Sequence, residues 1–335
     1  MNDQILVAES NNIQATKTRA KRRKLGVLDD VIETAINEAV KDIVGELTKQ
    51  EVLKYIPQRL EVVRHRTIVE TIDRQHNKFE LALKTLTSGV NVYLTGPSGT
   101  GKTTLAYNIS KALGLPFVLY QCHRDMSSYD FEGSLSVTSN EYAPSKLYSA
   151  YKNGGVILFD ELDNISSSAG VAANALLAND FFTFPNGETA TKHKDCYMLA
   201  AGNTLGLGSN DQFVARTKID AATLDRFAYL DLQIDTALEY SACGIHSKSQ
   251  DKVDLDRGGV VSKEAWISFV GQFREYLKDV GLKQVVITPR ASISGCKLID
   301  QGIGFAHIAE MLLFRHLSPE QKSKVSSWVS GNRPY

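Results

Sequence analysis

The residues of this chain best suited to chemistry lie in one short stretch. It reads Gly96-Pro97-Ser98-Gly99-Thr100-Gly101-Lys102-Thr103 and runs on into Thr104. The spacing fits G-x-x-x-x-G-K-[ST], a pattern whose parts each have a physical purpose. The glycines let the backbone curl so that successive N–H groups point inward at phosphate oxygens. Lys102 is placed to bring a point charge to the β- and γ-phosphates, and the Thr103 hydroxyl to ligate Mg²⁺. A helix expected from Thr103 onward aims its positive end at the same anion. The implied ligand is a nucleoside triphosphate.

A second candidate is Val156-Ile157-Leu158-Phe159-Asp160-Glu161, an apolar strand ending in two acids. Such side chains emerge at the carboxyl edge of a sheet, where nucleotides bind in open α/β folds. Asp160 suits the Mg²⁺ shell, directly or through water. Glu161 is placed to polarise an attacking water, so the acidic pair favours hydrolysis over storage. In Leu199-Ala200-Ala201-Gly202-Asn203-Thr204, Asn203 could contact a γ-phosphate or orient that water; taken alone, it reads as a turn former. Arg226 precedes a strand and Arg290 opens a helix. The fixed charge and forked donors of arginine suit transition-state oxygens, although either residue in isolation reads as a surface ion pair.

The elements that must position these groups alternate. Strands are expected at Val90–Thr95, Pro116–Tyr120, Gly155–Phe159, Cys196–Ala201 and Phe227–Leu232, with helical stretches between them. Near-continuous apolar strands separated by helices indicate a parallel sheet covered on both faces. From about 236 the pattern is helical only. The expected fold class is therefore α/β, a P-loop NTPase αβα sandwich with a parallel sheet. A small all-α lid follows it and an N-terminal helical extension precedes it. The expected divisions are a disordered basic arm (1–26), a helical extension (27–74), the ATPase core (75–235) and the lid (236–335). The extension rests on an apolar stripe from Leu28 to Leu47 at three- and four-residue spacing.

Composition narrows the classes. Over 335 residues, 43% are hydrophobic and 23% charged, as in a globular chain. The 38 basic and 38 acidic side chains cancel, which argues against a whole-molecule field for nucleic acid or anionic membrane. Any such contact would be local, as at the basic cluster within residues 17–24. The four cysteines are scattered with no C-x-x-C pair, so a reducing cytoplasm fits. No apolar run approaches the roughly 20 residues that span a bilayer.

The order of P-loop, Asp160-Glu161, Asn203, Arg226 and Arg290 resembles the AAA+ ATPases, and more finely their MoxR and CobS-like, dynein-related branch. Three passages carry the finer likeness: Asp125–Gly133, Gly202–Gly208 followed by Leu224-Asp225-Arg226-Phe227, and Ile287-Thr288-Pro289-Arg290-Ala291. The resemblance implies ATP and Mg²⁺ as cofactors. Lys102 and Thr103 become Walker A, Asp160 and Glu161 Walker B, and Asn203 sensor 1. Arg226 becomes an arginine finger acting on a neighbour's ATP, and Arg290 sensor 2. It also implies a ring of identical subunits, commonly a hexamer. Gly133 to about Tyr148 falls where the branch carries its helix-2 insert. Phe181–Thr189, around Asn186-Gly187, matches its pre-sensor-1 hairpin. The function implied is an ATP-hydrolysing ring motor that remodels a partner, often a von Willebrand-type A domain protein. Two alternatives stay open: a DNA- or RNA-associated ATPase gripping phosphates through residues 17–24, and the ATPase subunit of a cobalt chelatase. Residues 1–75 lie outside the resemblance.

Overall fold

The computed structural model describes residues 6–9, 59–64, 67–73 and 75–328, apart from 137, 140, 210–215, 246–260, 283, 316, 323–324 and 326–327. Three strands come first: β1 (Leu6–Glu9), β2 (Arg59–Arg64) and β3 (Thr67–Asp73), paired antiparallel in that order. Here the sequence led to an unstructured arm and a helical extension. The described part of residues 1–74 is instead strand, because Leu60–Val63 and Ile68–Ile72 are rich in β-branched residues that favour a pleated surface. The Leu28–Leu47 stripe and the basic cluster at 17–24 lie outside the described residues.

The core begins with α1 (Phe79–Thr87), β4 (Asn91–Thr95), α2 (Lys102–Leu113) and β5 (Phe117–Gln121). Next come α3 (Tyr129–Glu132), the short pair β6 (Ser134–Leu135) and β7 (Tyr142–Ala143), α4 (Lys146–Asn153) and β8 (Gly155–Asp160). Then follow α5 (Ser167–Ala178), β9 (Phe181–Thr183), β10 (Thr189–Thr191), β11 (Cys196–Ala201), α6 (Ala221–Leu224) and β12 (Phe227–Asp231). Five of the strands form one parallel sheet in the order β12-β4-β11-β8-β5. This is the α/β P-loop NTPase architecture.

Alternation along each strand explains why both faces are covered. Val92 and Leu94 of β4, with Val156 and Leu158 of β8, pack against Phe79, Leu83, Leu105 and Ile109 of α1 and α2. Their neighbours Tyr93, Ile157 and Phe159 face the other way, onto Phe131, Tyr151 and Leu176. The strand between β4 and β8 is β11, whose carboxyl end therefore emerges between the P-loop and the acidic turn.

Two small hairpins lie outside the parallel sheet. The β9–β10 turn contains Gly187 at φ 81°, a left-handed position that glycine adopts without cost. Phe184 of this turn is buried against Tyr148 and Tyr151, and Glu188 accepts from Tyr148 Oη and Lys152 Nζ, each at 2.5 Å. The turn of the hairpin is thus pinned to α4, while Phe181, at the open end of the pair, stays 58% exposed. Leu135, in the β6–β7 hairpin, is 42% exposed.

Among the described residues only helices follow: α7 (Thr236–Ala242), α8 (Lys263–Asp279), α9 (Pro289–Ile299) and α10 (Phe305–Ala309), the last running into a wider turn at Glu310–Phe314. They enclose their own core of Trp266, Phe269, Phe273 and Phe305. Gly295 of α9 lets Trp266 approach closely, since a Cβ there would lie 2.0 Å from its indole nitrogen. Arg274 grips the buried Glu239 through two parallel bonds of 2.7 and 2.9 Å, tying α8 to α7. Among the described residues no helix is long and apolar enough to cross a membrane.

Candidate functional site

The carboxyl ends of β4, β11 and β8 bring three loops together. Thr95 ends β4, and Gly96 turns the chain at φ 135° under the next strand, where a Cβ would lie 2.1 Å from the Leu232 carbonyl oxygen. Gly96→Ala therefore combines a backbone penalty with a collision against main chain. It is expected to cost about 2 kcal/mol or more of stability, measured by urea denaturation. Gly99 approaches Thr288 and Pro289, so the start of α9 lies against the P-loop. Gly101, at φ 93°, ends the loop and starts α2 at Lys102.

Lys102 is 8% exposed, and its ammonium donates to Gly96 O at 2.7 Å, Pro97 O at 3.0 Å and Asn203 Oδ1 at 3.0 Å. Burial lowers its pKa to about 8, against the raising pull of Asp160, Asp163 and Glu161. Thr103 Oγ1 donates to Asp160 Oδ2 at 2.7 Å. A hydroxyl and a carboxylate oxygen meeting at the mouth of a phosphate-shaped loop fit Mg²⁺. That ion takes one or two protein oxygens and completes its shell with phosphate and water. No cluster of three or more His, Cys, Asp or Glu ligands occurs among the described residues.

Glu161 follows Asp160 with φ 54°, the one left-handed residue other than glycine among those described. Its N–H donates to Asp160 Oδ1 at 3.0 Å, and its Oε2 accepts from Arg216 Nη1 at 3.1 Å. Asp163, two residues on, is wholly buried. Its Oδ2 accepts from Asn203 N, Thr204 N and Thr204 Oγ1 at 3.1, 2.9 and 2.8 Å, and its Oδ1 from Arg216 Nη1 at 3.3 Å. One carboxylate thus fixes the loop that carries Asn203 to the turn that carries Glu161. Gly202, just before, leaves room for the Tyr93 hydroxyl, which a Cβ would meet at 2.2 Å.

The structure brings together Gly96 to Thr104, Asp160, Glu161 and Asn203, with Arg290 nearby on the first turn of α9. The Arg290 residue is exposed, and Thr288 caps its helix by accepting from Arg290 N at 3.3 Å. Arg226 stands apart. Phe227 pairs with Asn91 and Asp231 with Thr95, so Arg226 lies at the amino edge of the sheet. That is about 17 Å along the strand from the P-loop edge. Its Nη1 donates to Ala222 O, and its buried Nε has no partner among the described residues. Sequence reasoning missed Asp163 and Arg216. The available signal was a third acid in Asp160-Glu161-Leu162-Asp163, within an otherwise apolar stretch.

Residues 91–227 match the family model described as AAA domain (dynein-related subfamily). The chain is 32% identical over 154 residues to Lon protease from Metamycoplasma arthritidis, covering 44% of this chain and 17% of that protein. It is 25% identical over 178 residues to denitrification regulatory protein NirQ from Stutzerimonas stutzeri, covering 48% of this chain and 64% of that one. It therefore spans less than two thirds of the length of either relative. A RuvB mutant from Thermotoga maritima superimposes with a TM-score of 0.45 and 15% identity, covering 76% of each chain.

Proposed function

We propose that this protein hydrolyses ATP as a ring of identical subunits, hexameric in the branch it resembles, and uses the energy to remodel a partner protein. The observation that carries the reading is the junction of Lys102, Asn203, Thr103 and Asp160 at one edge of the sheet. Incoming phosphate oxygens would replace the loop carbonyls and Asn203 as acceptors for Lys102. Bound with the nucleotide, Mg²⁺ would withdraw charge from the β- and γ-phosphate oxygens, and Thr103 and Asp160 are the residues that would hold it. Glu161 accepts a proton from the attacking water, Asn203 orients that water, and Arg290 approaches the phosphates from the lid side. Arg226 sits too far along the sheet to serve its own P-loop, which favours action on a neighbour's. A head-to-tail interface that closes makes a ring.

Leu135 and Phe181, exposed on the two hairpins, supply apolar surface for a partner. The resemblance implies a von Willebrand-type A domain protein as the partner class. The test of the reading is phosphate release from ATP by the full chain. Turnover that needs Mg²⁺ and stops with EDTA is expected; nucleotide binding without turnover would reduce the protein to a nucleotide-gated scaffold.

A further inference from the structure

We propose that Cys243 and Cys296 are a redox-sensitive pair that closes to a disulfide inside the lid and slows turnover at the P-loop. The slowing rests on the ATPase reading above; the disulfide does not. The two cysteines are far apart in the chain, but Cys243 caps the carboxyl end of α7 and Cys296 lies within α9. Both are buried in the core around Trp266 and Phe273. There Cys296 Sγ donates a hydrogen bond to Cys243 Sγ. Beside them Lys263 Nζ pairs with Asp300 Oδ1 at 2.7 Å, so an ammonium stands near both thiols.

The pair is unequal. The bond from Cys296 holds the Cys243 thiol below its usual pKa, although burial and Glu239 oppose it. The same bond, together with burial, pushes Cys296 up. Cys243 is therefore the readier thiolate, and it is the less buried of the two, at 8% against 3% exposed. Burial pushes the other two thiols up, Cys196 to about 11 and Cys122 further, so they compete poorly.

The oxidant is a peroxide. The Cys243 thiolate attacks one peroxide oxygen, so an S–O bond forms and the O–O bond breaks. The other oxygen leaves as hydroxide and takes the proton that Cys243 gave up. Cys296 then attacks Cys243 Sγ; the S–S bond forms, the S–O bond breaks, and hydroxide leaves as water with the Cys296 proton. The two thiols lose two electrons in all, and hydrogen peroxide becomes two waters. Sulfurs in hydrogen-bond contact must close to about 2.05 Å, which draws α9 toward the end of α7. The first turn of α9 lies against the phosphate loop, where a Cβ on Gly99 would meet Thr288 Cβ at 2.9 Å. A lid fixed at that contact releases product more slowly.

Peptide mapping of the full chain tests the pair. Protein treated with hydrogen peroxide, then unfolded, alkylated and digested, should yield a crosslinked Cys243–Cys296 peptide, with Cys122 and Cys196 alkylated. Dithiothreitol should return all four cysteines to the alkylated form. Phosphate release should fall about three- to tenfold on oxidation and recover with dithiothreitol. In Cys296→Ala, which cannot form the disulfide, peroxide should leave turnover unchanged. The map needs no variant and stands if Cys296→Ala does not fold. Alkylation of both Cys243 and Cys296 after peroxide, or Cys243 carried on to sulfinic acid, overturns the pair. A formed disulfide with unchanged turnover, or an equal fall in Cys296→Ala, overturns the slowing. A formed disulfide in a protein that never releases phosphate leaves the pair standing; there the ATPase reading fails, and the slowing with it.

Discussion

Lys102→Ala is expected to abolish measurable ATP binding while leaving the chain folded. The ammonium is buried, and three acceptors from the loop and Asn203 already converge on it. Phosphate oxygens arriving in their place would gain charge-assisted bonds that no other residue of the loop can supply. Each such bond is worth about 1.5–3 kcal/mol, so losing two lowers affinity by at least about a hundredfold. Fold stability should change far less, because the alanine also removes a buried charge that burial itself disfavours. Titration with a fluorescent nucleotide, beside a denaturation curve of the same variant, separates the two effects. Retained affinity would mean that the backbone N–H groups alone hold the triphosphate.

Glu161→Gln should give the second largest effect, this time on the rate. The amide cannot take a proton from water, and loss of a general base costs about 10²- to 10⁴-fold in rate. Binding should persist because Lys102, Thr103 and Asp160 are untouched, so ATP accumulates on an assembled ring that size-exclusion chromatography can detect. The glutamine can still accept a bond from Arg216, and local structure is expected to survive. Turnover near wild type would show that another group accepts the proton, and Asp163, sealed and fully bonded, could not be that group.

Much of this site is legible in local sequence because its parts are local. A glycine-rich loop between a β-branched strand and a helix needs no distant partner to be recognised. The acids at the end of Val156–Phe159 announce themselves in the same way. The sheet order is not local. Nothing in Cys196–Ala201 says that it lies between β4 and β8, yet that position is what brings Asn203 within 3.0 Å of Lys102. The Arg216 pairing with Glu161 and Asp163 spans more than fifty residues and exists only once the segment after β11 folds over the acidic turn. In the N-terminal segment, charged residues interrupt the alternation of β2 and β3, hiding strands that form by pairing with one another. The hairpin at Ser134–Ala143 is two residues deep on each side, too short for any periodicity to reveal.

The central claim is that each nucleotide site is completed by a neighbour. Its most direct test mixes two variants expected to be inactive alone, Arg226→Ala and Lys102→Ala, and measures phosphate release from the mixture. The first should bind ATP but lack the Arg226 guanidinium to offer; the second should bind none but keep its own Arg226. Mixed assemblies should recover part of the wild-type turnover, because Lys102→Ala subunits present Arg226 to ATP held by their neighbours. If mixed rings form and turnover stays at the level of the separate variants, Arg226 does not act across the interface and the shared-site account is wrong.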